Sequence, residues 1–573
     1  MGKIWNIKER ADVNVVKHLS AALNVNMVIA NLLAQRGVTT FEEARTFFRP
    51  KLEHLHDPFL MKDMDRAVLR LEQAIENKER ILIYGDYDVD GTTSVALIYQ
   101  FLRTRVEHLV YYIPDRYTEG YGISNQSIEY AKEQGVSLVI ALDCGIKAVG
   151  KIQKAKSLGI DYIICDHHTP DVEIPQAAAV LDPKRVDCAY PYKELSGCGV
   201  GFKLIQAYSK RNDIPTIELY DLLDLVVVSI AADIVPVTGE NRVLAYYGLK
   251  KLNENPSTGL KTIMKLSNIG SAELTLSDVV FKIGPRLNAS GRIEHGKSSV
   301  DLLVMSDSAE SSKLGEEIDS FNEIRKTLDR NITQEALDMI KHDPLQAERL
   351  STVLYNRDWH KGVVGIVASR LTEHYYRPTV ILTESNGLAT GSARSVHGFD
   401  LYEAIGQCSD LLESYGGHMY AAGLTMKIDR IPEFTRRFEE IVARSIEEEQ
   451  KVEVIKADSR LSLSDINDKF FRILKQFEPF GPGNSRPMFI SENVIDYGYA
   501  KCVGKEGEHL KLDVAELNDS TIRIPAIAFN LARKYDIVEQ GIPFDILYAI
   551  TENEYRGRRN LQLQIKDIDS RLL

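Results

Sequence analysis

The sequence predicts an α/β protein: a parallel-sheet domain joined by a long helix to a second α/β domain, with a small β-barrel at the carboxy-terminal end. Three observations carry this. Between residues 81 and 181, short apolar runs alternate with helical patterns, as expected of a parallel sheet buried on both faces. Residues 307–342 are charge-rich, with apolar residues at helical spacing (Leu314, Ile318, Phe321, Ile324, Leu328). Beyond about residue 452, several short strand patterns separated by turns fit a small barrel. A length of 573 residues suggests roughly three or four domains. The expected division is an N-terminal helical segment (1–50), the parallel-sheet domain (51–305), a connecting helix (306–345), the second α/β domain (346–448) and the barrel (449–573).

In chain order, helical patterning covers 15–22 and 27–35, and Thr40-Phe41-Glu42-Glu43 marks a helix start. Residues 65–77 read as an amphipathic helix leading into a first strand over 81–84. Further strands are expected at 109–113, 138–142, 162–165 and 178–181, with a helix over 124–134. For the apolar run 225–232 the pattern leaves strand and helix both open. In the second domain, 352–355 and 379–382 read as strands and 365–374 as a helix. Residues 477–484 form a loop, followed by barrel strands at 510–514, 522–529, 544–550 and 561–565.

Composition narrows the function classes. A net charge of -12 argues against coating nucleic acid through bulk positive charge, so any polyanion site must be local. The six cysteines include no CxxC pair, which reads as reduced thiols in a cytoplasmic protein. No apolar run approaches the ~20 residues that span a bilayer, so no membrane association is expected.

The chemistry is expected at the carboxyl ends of the strands, where parallel sheets bind ligands. Asp86, Asp88 and Asp90 follow the first strand, Asp143 the third, and Asp166, His167 and His168 the fourth; Asp233 follows the apolar run 225–232. Carboxylates gathered that closely repel unless a proton or cation lies between them. Three acids in one turn can also be helix caps. Acids and a histidine pair together at one sheet edge point instead to two divalent ions, Mn2+ or Mg2+. If the segment stays extended, alternation brings Asp86, Asp88 and Asp90 to one side. By the same rule, His167 and His168 point apart and cannot share an ion without a bend.

Asp166-His167-His168, preceded by Asp88-Val89-Asp90-Gly91 and Asp143-Cys144-Gly145, resembles the DHH phosphoesterase superfamily. The stretches from Tyr84 to Thr92 and from Gly284 to Arg292 (GPRLNASGR) resemble, more narrowly, its bacterial single-strand-specific 5′–3′ DNA exonucleases. The resemblance implies that Asp88 and Asp143 hold one ion with Asp86 near it, and that Asp90, Asp143, His167 and Asp233 hold the second. It makes Asp143 the bridge, Asp166 the residue that orients His167, and His168 the one facing the scissile phosphate. Where some superfamily members carry a histidine, Tyr84 stands here.

Substrate contacts follow in the same way. Lys282, Arg286, Arg292 and Lys297 stand in a Gly- and Ser-rich stretch against Glu294 alone, a pattern that suits phosphate oxygens or a solvated basic loop. The resemblance assigns Arg286, Asn288 and Arg292 to the DNA backbone. Gly391 to Ser395 and Gly416 to Gly423 resemble the DHH-associated domain, which implies that Ser392 and Arg394, with Arg116, bind a 5′ phosphate and that His418 lies near the scissile phosphate or the metals. For the barrel it implies an OB-fold, with Tyr555, Arg556, Arg558 and Arg559 either contacting DNA or forming a solvated hairpin tip.

The implied activity is metal-dependent hydrolysis of single-stranded DNA from its 5′ end to mononucleotides, in DNA repair and recombination. A single-strand-binding protein and a helicase are implied partners, and the expected state is a monomer. Two rivals remain: a phosphoesterase of short oligonucleotides or cyclic dinucleotides, and a non-catalytic single-strand-binding protein. The first has no need of the barrel, and the second is disfavoured because no expected ligand is missing.

Overall fold

Strand Ile81–Gly85 lies inside a five-stranded parallel sheet whose spatial order is Leu109–Tyr112, Ile81–Gly85, Leu138–Leu142, Asp161–Cys165, Ala179–Leu181. These are the five strands expected from the apolar runs. The computed structural model describes residues 3–269, 273–555 and 558–570. Strand order reverses between Ile81–Gly85 and Leu138–Leu142, and a crevice opens beyond the carboxyl ends of strands at such a switch point. The acids after these two strands therefore emerge side by side.

Alternation along the strands explains why both faces are covered. Ile81, Ile83, Ile140 and Ile163 pack on one face against helices Val89–Leu102, Gly197–Arg211 and Leu223–Ala232. Leu82, Tyr84, Val139 and Ile164 pack on the other with Ile128 and Ile152, from helices Asn125–Glu133 and Val149–Ser157. Each such side chain, fully buried, stabilises by about 1.5–3 kcal/mol, enough to hold the strand ends in register. Tyr84 belongs to this core: its hydroxyl donates to the Gly122 carbonyl at 2.7 Å, so it takes no place among the acids. The undecided run is a helix, Leu223–Ala232, buried from Leu223 to Ala231.

The chain forms two units. One comprises residues 50–331 with 479–484; the other comprises 1–49, 332–478 and 485–573. The long helix is a single element, Ser308–His342, whose residues fall in the first unit up to Asn331 and in the second from Ile332. Loop 479–484 belongs to the first unit because the Val237 N–H donates to the Pro482 carbonyl at 2.7 Å.

In the second unit the N-terminal helices appear as expected, Thr40 capping Phe41–Phe48 through a reciprocal box with Glu43. Strand Ile4–Ile7 was not expected; it pairs in parallel with Val454–Ala457, 450 residues away. The second α/β domain holds a five-stranded mixed sheet with Thr352–Tyr355 and Thr379–Ser385 parallel and the rest antiparallel. The barrel closes through Phe489–Asp496, Phe544–Tyr555, Arg558–Asp569, Asp519–Ala528 and His509–Glu516, with Val494 to Asp496 pairing back to Val514 to Glu516. Arg556 and the side chains of Tyr555, Arg558 and Arg559 lie outside the described residues. Among the described residues, no single helix is long and apolar enough to cross a membrane.

Candidate metal centre

The first acidic turn departs from the extended form. Asp86 follows strand Ile81–Gly85, Asp88 is the N-cap of helix Val89–Leu102, accepting the Gly91 N–H at 3.0 Å, and Asp90 already lies in the first helical turn. Capping and clustering are thus compatible. Gly91 makes this possible: a Cβ there would stand 2.5 Å from the Asp86 nitrogen and 2.6 Å from its carbonyl carbon. The helix can therefore start directly against the strand end.

Asp90 is gripped from behind. Its Oδ2 accepts the Gly197 N–H at 2.7 Å, and its Oδ1 accepts the Cys198 N–H at 2.8 Å and the Ser229 hydroxyl at 2.7 Å. Both N–H groups belong to the first turn of Gly197–Arg211, where unpaired donors and the helix dipole favour an anion. Asp143 leaves its strand at φ +58°, a left-handed conformation that Asp tolerates better than most residues and that is often found at functional sites. Asp233 ends helix Leu223–Ala232.

Three groups of ligand atoms converge: Asp86, Asp88 and Asp143; Asp90, His167 and Asp233; and Asp143, His167 and His168. His167 Nε2 lies 3.1 Å from Asp143 Oδ1, 3.5 Å from Asp233 Oδ2 and 3.8 Å from Asp90 Oδ2. Asp143 falls in one group with Asp86 and Asp88 and in another with His167 and His168. The chain bends at His168, so the two imidazoles tilt toward each other with centroids 4.6 Å apart. Both therefore reach Asp143, which strict alternation excludes.

Burial, followed by the neighbouring carboxylates, raises the pKa of Asp86, Asp88 and Asp143, and pushes Asp233 up to about 8. Burial lowers that of His167. Among the described residues, buried Asp86 Oδ1 and both ring nitrogens of His167 have no hydrogen-bond partner. Orphaned acceptors amid crowded carboxylates fit hard divalent cations, and the imidazole tilts the preference toward Mn2+.

Asp166 does something other than expected. Its Oδ1 accepts the His168 Nδ1–H at 2.7 Å and the His167 backbone N–H at 2.7 Å, and Oδ2 accepts the Ile146 N–H at 2.9 Å. It orients the His168 ring and touches only the backbone of His167. Burial alone would lower the His168 pKa, but the Asp166 hydrogen bond and charge overcome it and raise it to about 9. Burial likewise works against the Asp166 charge, yet His168 holds it down to about 2. The exposed Tyr121 hydroxyl sits 3.2 Å from His168 Nε2.

The basic stretch is not a loop. Residues Val279–Ile283 form a π-helical turn running into α-helix Gly284–Ile293. Arg286, expected on DNA, is 9% exposed and spent internally: Nε donates to Asp319 Oδ1 at 2.8 Å and Nη1 to the Lys282 carbonyl at 2.8 Å. Asn288 and Arg292 are half-buried on this helix. A Cβ at Gly291 would meet the Tyr87 carbonyl at 2.7 Å, so the motif's glycine lets the helix press against the turn that carries Asp86 and Asp88. The half-buried Arg116 guanidinium lies over the Tyr87 ring, 5.0 Å from its centroid.

In the other unit, Ser392 and Arg394 share one face of strand Leu388–Arg394, with Arg394 Nη1 donating to Ser392 Oγ at 2.8 Å. Both lie against Gly365 in the first turn of helix Val364–Tyr375, where a Cβ would meet Ser392 Oγ at 3.1 Å and Arg394 Nη2 at 3.2 Å. His418 is exposed at the end of strand Leu412–His418.

Comparison with known proteins agrees with this layout. Residues 80–230 match the model of the DHH family, N-terminal domain, 349–444 the DHHA1 domain, and 457–567 the RecJ OB domain. The single-stranded-DNA-specific exonuclease RecJ of Bacillus subtilis is 38% identical over 565 residues, covering 98% of this chain and 70% of its own. The chain belongs to the RecJ family. RecJ of Salmonella typhimurium is 32% identical, covering 94% of this chain and 95% of its own. The crystal structure of Thermus thermophilus RecJ in complex with Mn2+ superposes with a TM-score of 0.83 at 27% identity, over 99% of this chain and 79% of that one. A second structure, exonuclease RecJ bound to manganese, has a TM-score of 0.60 at 31% identity, over 69% of this chain and 97% of that one.

The residues that close this RecJ-type centre from behind, Ser196, Gly197 and Ser229, and Tyr121 beside His168, carry no acidic or imidazole signature. Ser196 before Gly197-Cys198-Gly199 is nonetheless a helix-start signal that points to an anion-binding turn. Ser229 and Tyr121 have no such signal, because only folding brings them to the acids.

Proposed function

We propose that this protein hydrolyses single-stranded DNA from its 5′ end, releasing mononucleotides, with Asp86, Asp88 and Asp143 holding one divalent cation and Asp90, Asp143, His167 and Asp233 the other. The observation that supports it most is Asp143, whose carboxylate groups with Asp86 and Asp88 and also lies 3.1 Å from Nε2 of His167, which groups with Asp90 and Asp233. Bound there, Mn2+ or Mg2+ would polarise the phosphodiester, acidify the attacking water and neutralise the leaving oxygen.

The protein's own groups do the rest. The anchored Asp90 and the left-handed Asp143 present oxygens in fixed directions, so little reorganisation is needed when charge develops. His168, aimed by Asp166, turns a donor toward a non-bridging phosphate oxygen, with Tyr121 at its side. Asn288 and Arg292 are proposed to hold the DNA backbone. Arg286 leaves this group, since its donors are committed to Asp319 and Lys282.

For the 5′ end, Ser392 and Arg394 are proposed to hold a terminal phosphate. An arginine fork beside a helix N-terminus is a suitable anion cradle. Arg394→Ala is expected to reduce the preference for 5′-phosphorylated over 5′-hydroxyl strands by about tenfold, the loss of one charge-assisted hydrogen bond of ~1.5 kcal/mol. Matched turnover assays on the two ends measure it, and an unchanged ratio removes the assignment.

The setting is cytoplasmic DNA repair and recombination, with the protein acting as a monomer beside a single-strand-binding protein and a helicase. The direct experiment incubates end-labelled single and double strands with Mn2+ and resolves products by size. Mononucleotides appearing first from the 5′ end of single strands are expected; internal cuts, or equal digestion of duplex, would overturn the reading.

A further inference from the structure

Asp90 carries more donors than a cation ligand needs, and they are unequally shared. Oδ1 receives the Cys198 N–H at 2.8 Å, the Ser229 hydroxyl at 2.7 Å and, more distantly, the Ser94 hydroxyl at 3.4 Å. Among the described residues Oδ2 receives only the Gly197 N–H, at 2.7 Å, and it is the oxygen that lies 3.8 Å from His167 Nε2. One carboxylate oxygen is thus saturated from behind while the other keeps a lone pair toward the site.

Ser229 Oγ also lies 2.6 Å from Ser196 Oγ. Ser229 is the donor in both contacts, so its one proton is shared between Asp90 Oδ1 and Ser196 Oγ. Ser196 Oγ in turn accepts the Gly199 N–H at 3.1 Å as the N-cap of Gly197–Arg211. Ser196 Oγ thus accepts both from the helix N-terminus and from Ser229, which seats the Ser229 hydroxyl against Asp90. Ser196, Ser229 and Asp90 are all buried, so water does not compete. Ser229 sits one turn before Asp233 on the same helix, Leu223–Ala232, so one element both aims Asp90 and ends in a neighbouring candidate ligand.

We propose that Ser229, seated on Ser196, is a positioning relay between the helix N-cap and Asp90 that holds Oδ1 from behind and turns Oδ2 toward the cation shared with His167 and Asp233. It rests on the metal reading above and adds the residue that orients Asp90. Ser229 touches no substrate and is a positioning residue. Groups that orient metal ligands in this way typically carry about 10- to 100-fold in metal affinity.

The test is Mn2+ titration of the full-length protein by calorimetry, with free Mn2+ followed by electron paramagnetic resonance. Ser229→Ala removes the donor, and Ser229→Cys removes the strong donor while keeping the volume. Both are expected to weaken one Mn2+ site by about 10- to 100-fold and leave the other within about twofold, with the metal-free fold retained by circular dichroism. Mn2+ binding by both variants at wild-type affinity would overturn the relay. So would weakening by Ser229→Ala that Ser229→Cys restores, since that assigns the effect to packing. Wild-type protein that binds no Mn2+ would overturn the metal reading itself, and the relay with it.

Discussion

Asp143→Asn is expected to lower hydrolysis of single strands by at least about 10³-fold, the upper scale for loss of one preorganised electrostatic group, while making the metal-free protein more resistant to heat. Asn is the appropriate replacement because it keeps the shape and tolerates the left-handed φ of +58°. Activity falls because the carboxylate belongs with Asp86 and Asp88 and also stands 3.1 Å from His167. Stability moves the other way. Burial, then Asp90, Asp88, Asp233 and Asp86, raises the Asp143 pKa well above its ordinary value. A carboxyl whose pKa rises on folding holds its proton more tightly in the native state, so it costs nothing below the unfolded value and progressively more as pH rises. The gain from Asp143→Asn in chelator should therefore be small near pH 4 and larger near pH 8. Thermal unfolding with EDTA at the two pH values measures it. Near-normal turnover, or a stability loss that grows with pH, would remove Asp143 from the centre of the cluster.

Gly91→Ala is expected to disable the site without touching a ligand. The added methyl would stand 2.5 Å from the Asp86 nitrogen and 2.6 Å from its carbonyl carbon, and neither is the end of a flexible side chain. Strand end and helix start must separate, at a cost of about 1–3 kcal/mol for overpacking. The two move apart carrying Asp86 on one and Asp90 on the other. Displacements near 1 Å in such a constellation cost about 10²-fold in rate. The combination to look for is an unfolding midpoint lowered by a few degrees, weaker Mn2+ binding and at least that loss of turnover. A variant with normal Mn2+ affinity would mean that the helix start can shift without dragging its acids.

Much of this was legible in the chain. Apolar runs bounded by turn residues marked all five parallel strands, because a strand buried on both faces has no polar side to blur the pattern. The acids were legible too, since a parallel sheet puts its loops, and hence Asp86, Asp143 and His167, at one edge. Arg286 was misplaced for the converse reason: an arginine in a Gly-rich stretch looks the same whether it faces DNA or Asp319. Strand Ile4–Ile7 was missed because its partner, Val454–Ala457, lies at the other end of the chain and leaves no local trace.

By itself, the sequence determined the sheet and the acids and histidines at its edge, because periodicity and spacing are local properties, and its motifs carried a resemblance to the DHH phosphoesterase superfamily. Only the tertiary structure decided which imidazole Asp166 holds, that His167 and His168 both reach Asp143, and that Ser229 and the Gly197 turn stand behind Asp90. Those contacts join residues far apart in the chain through a bend, a left-handed residue and a helix N-terminus, and each is set by packing rather than by any pattern along one segment.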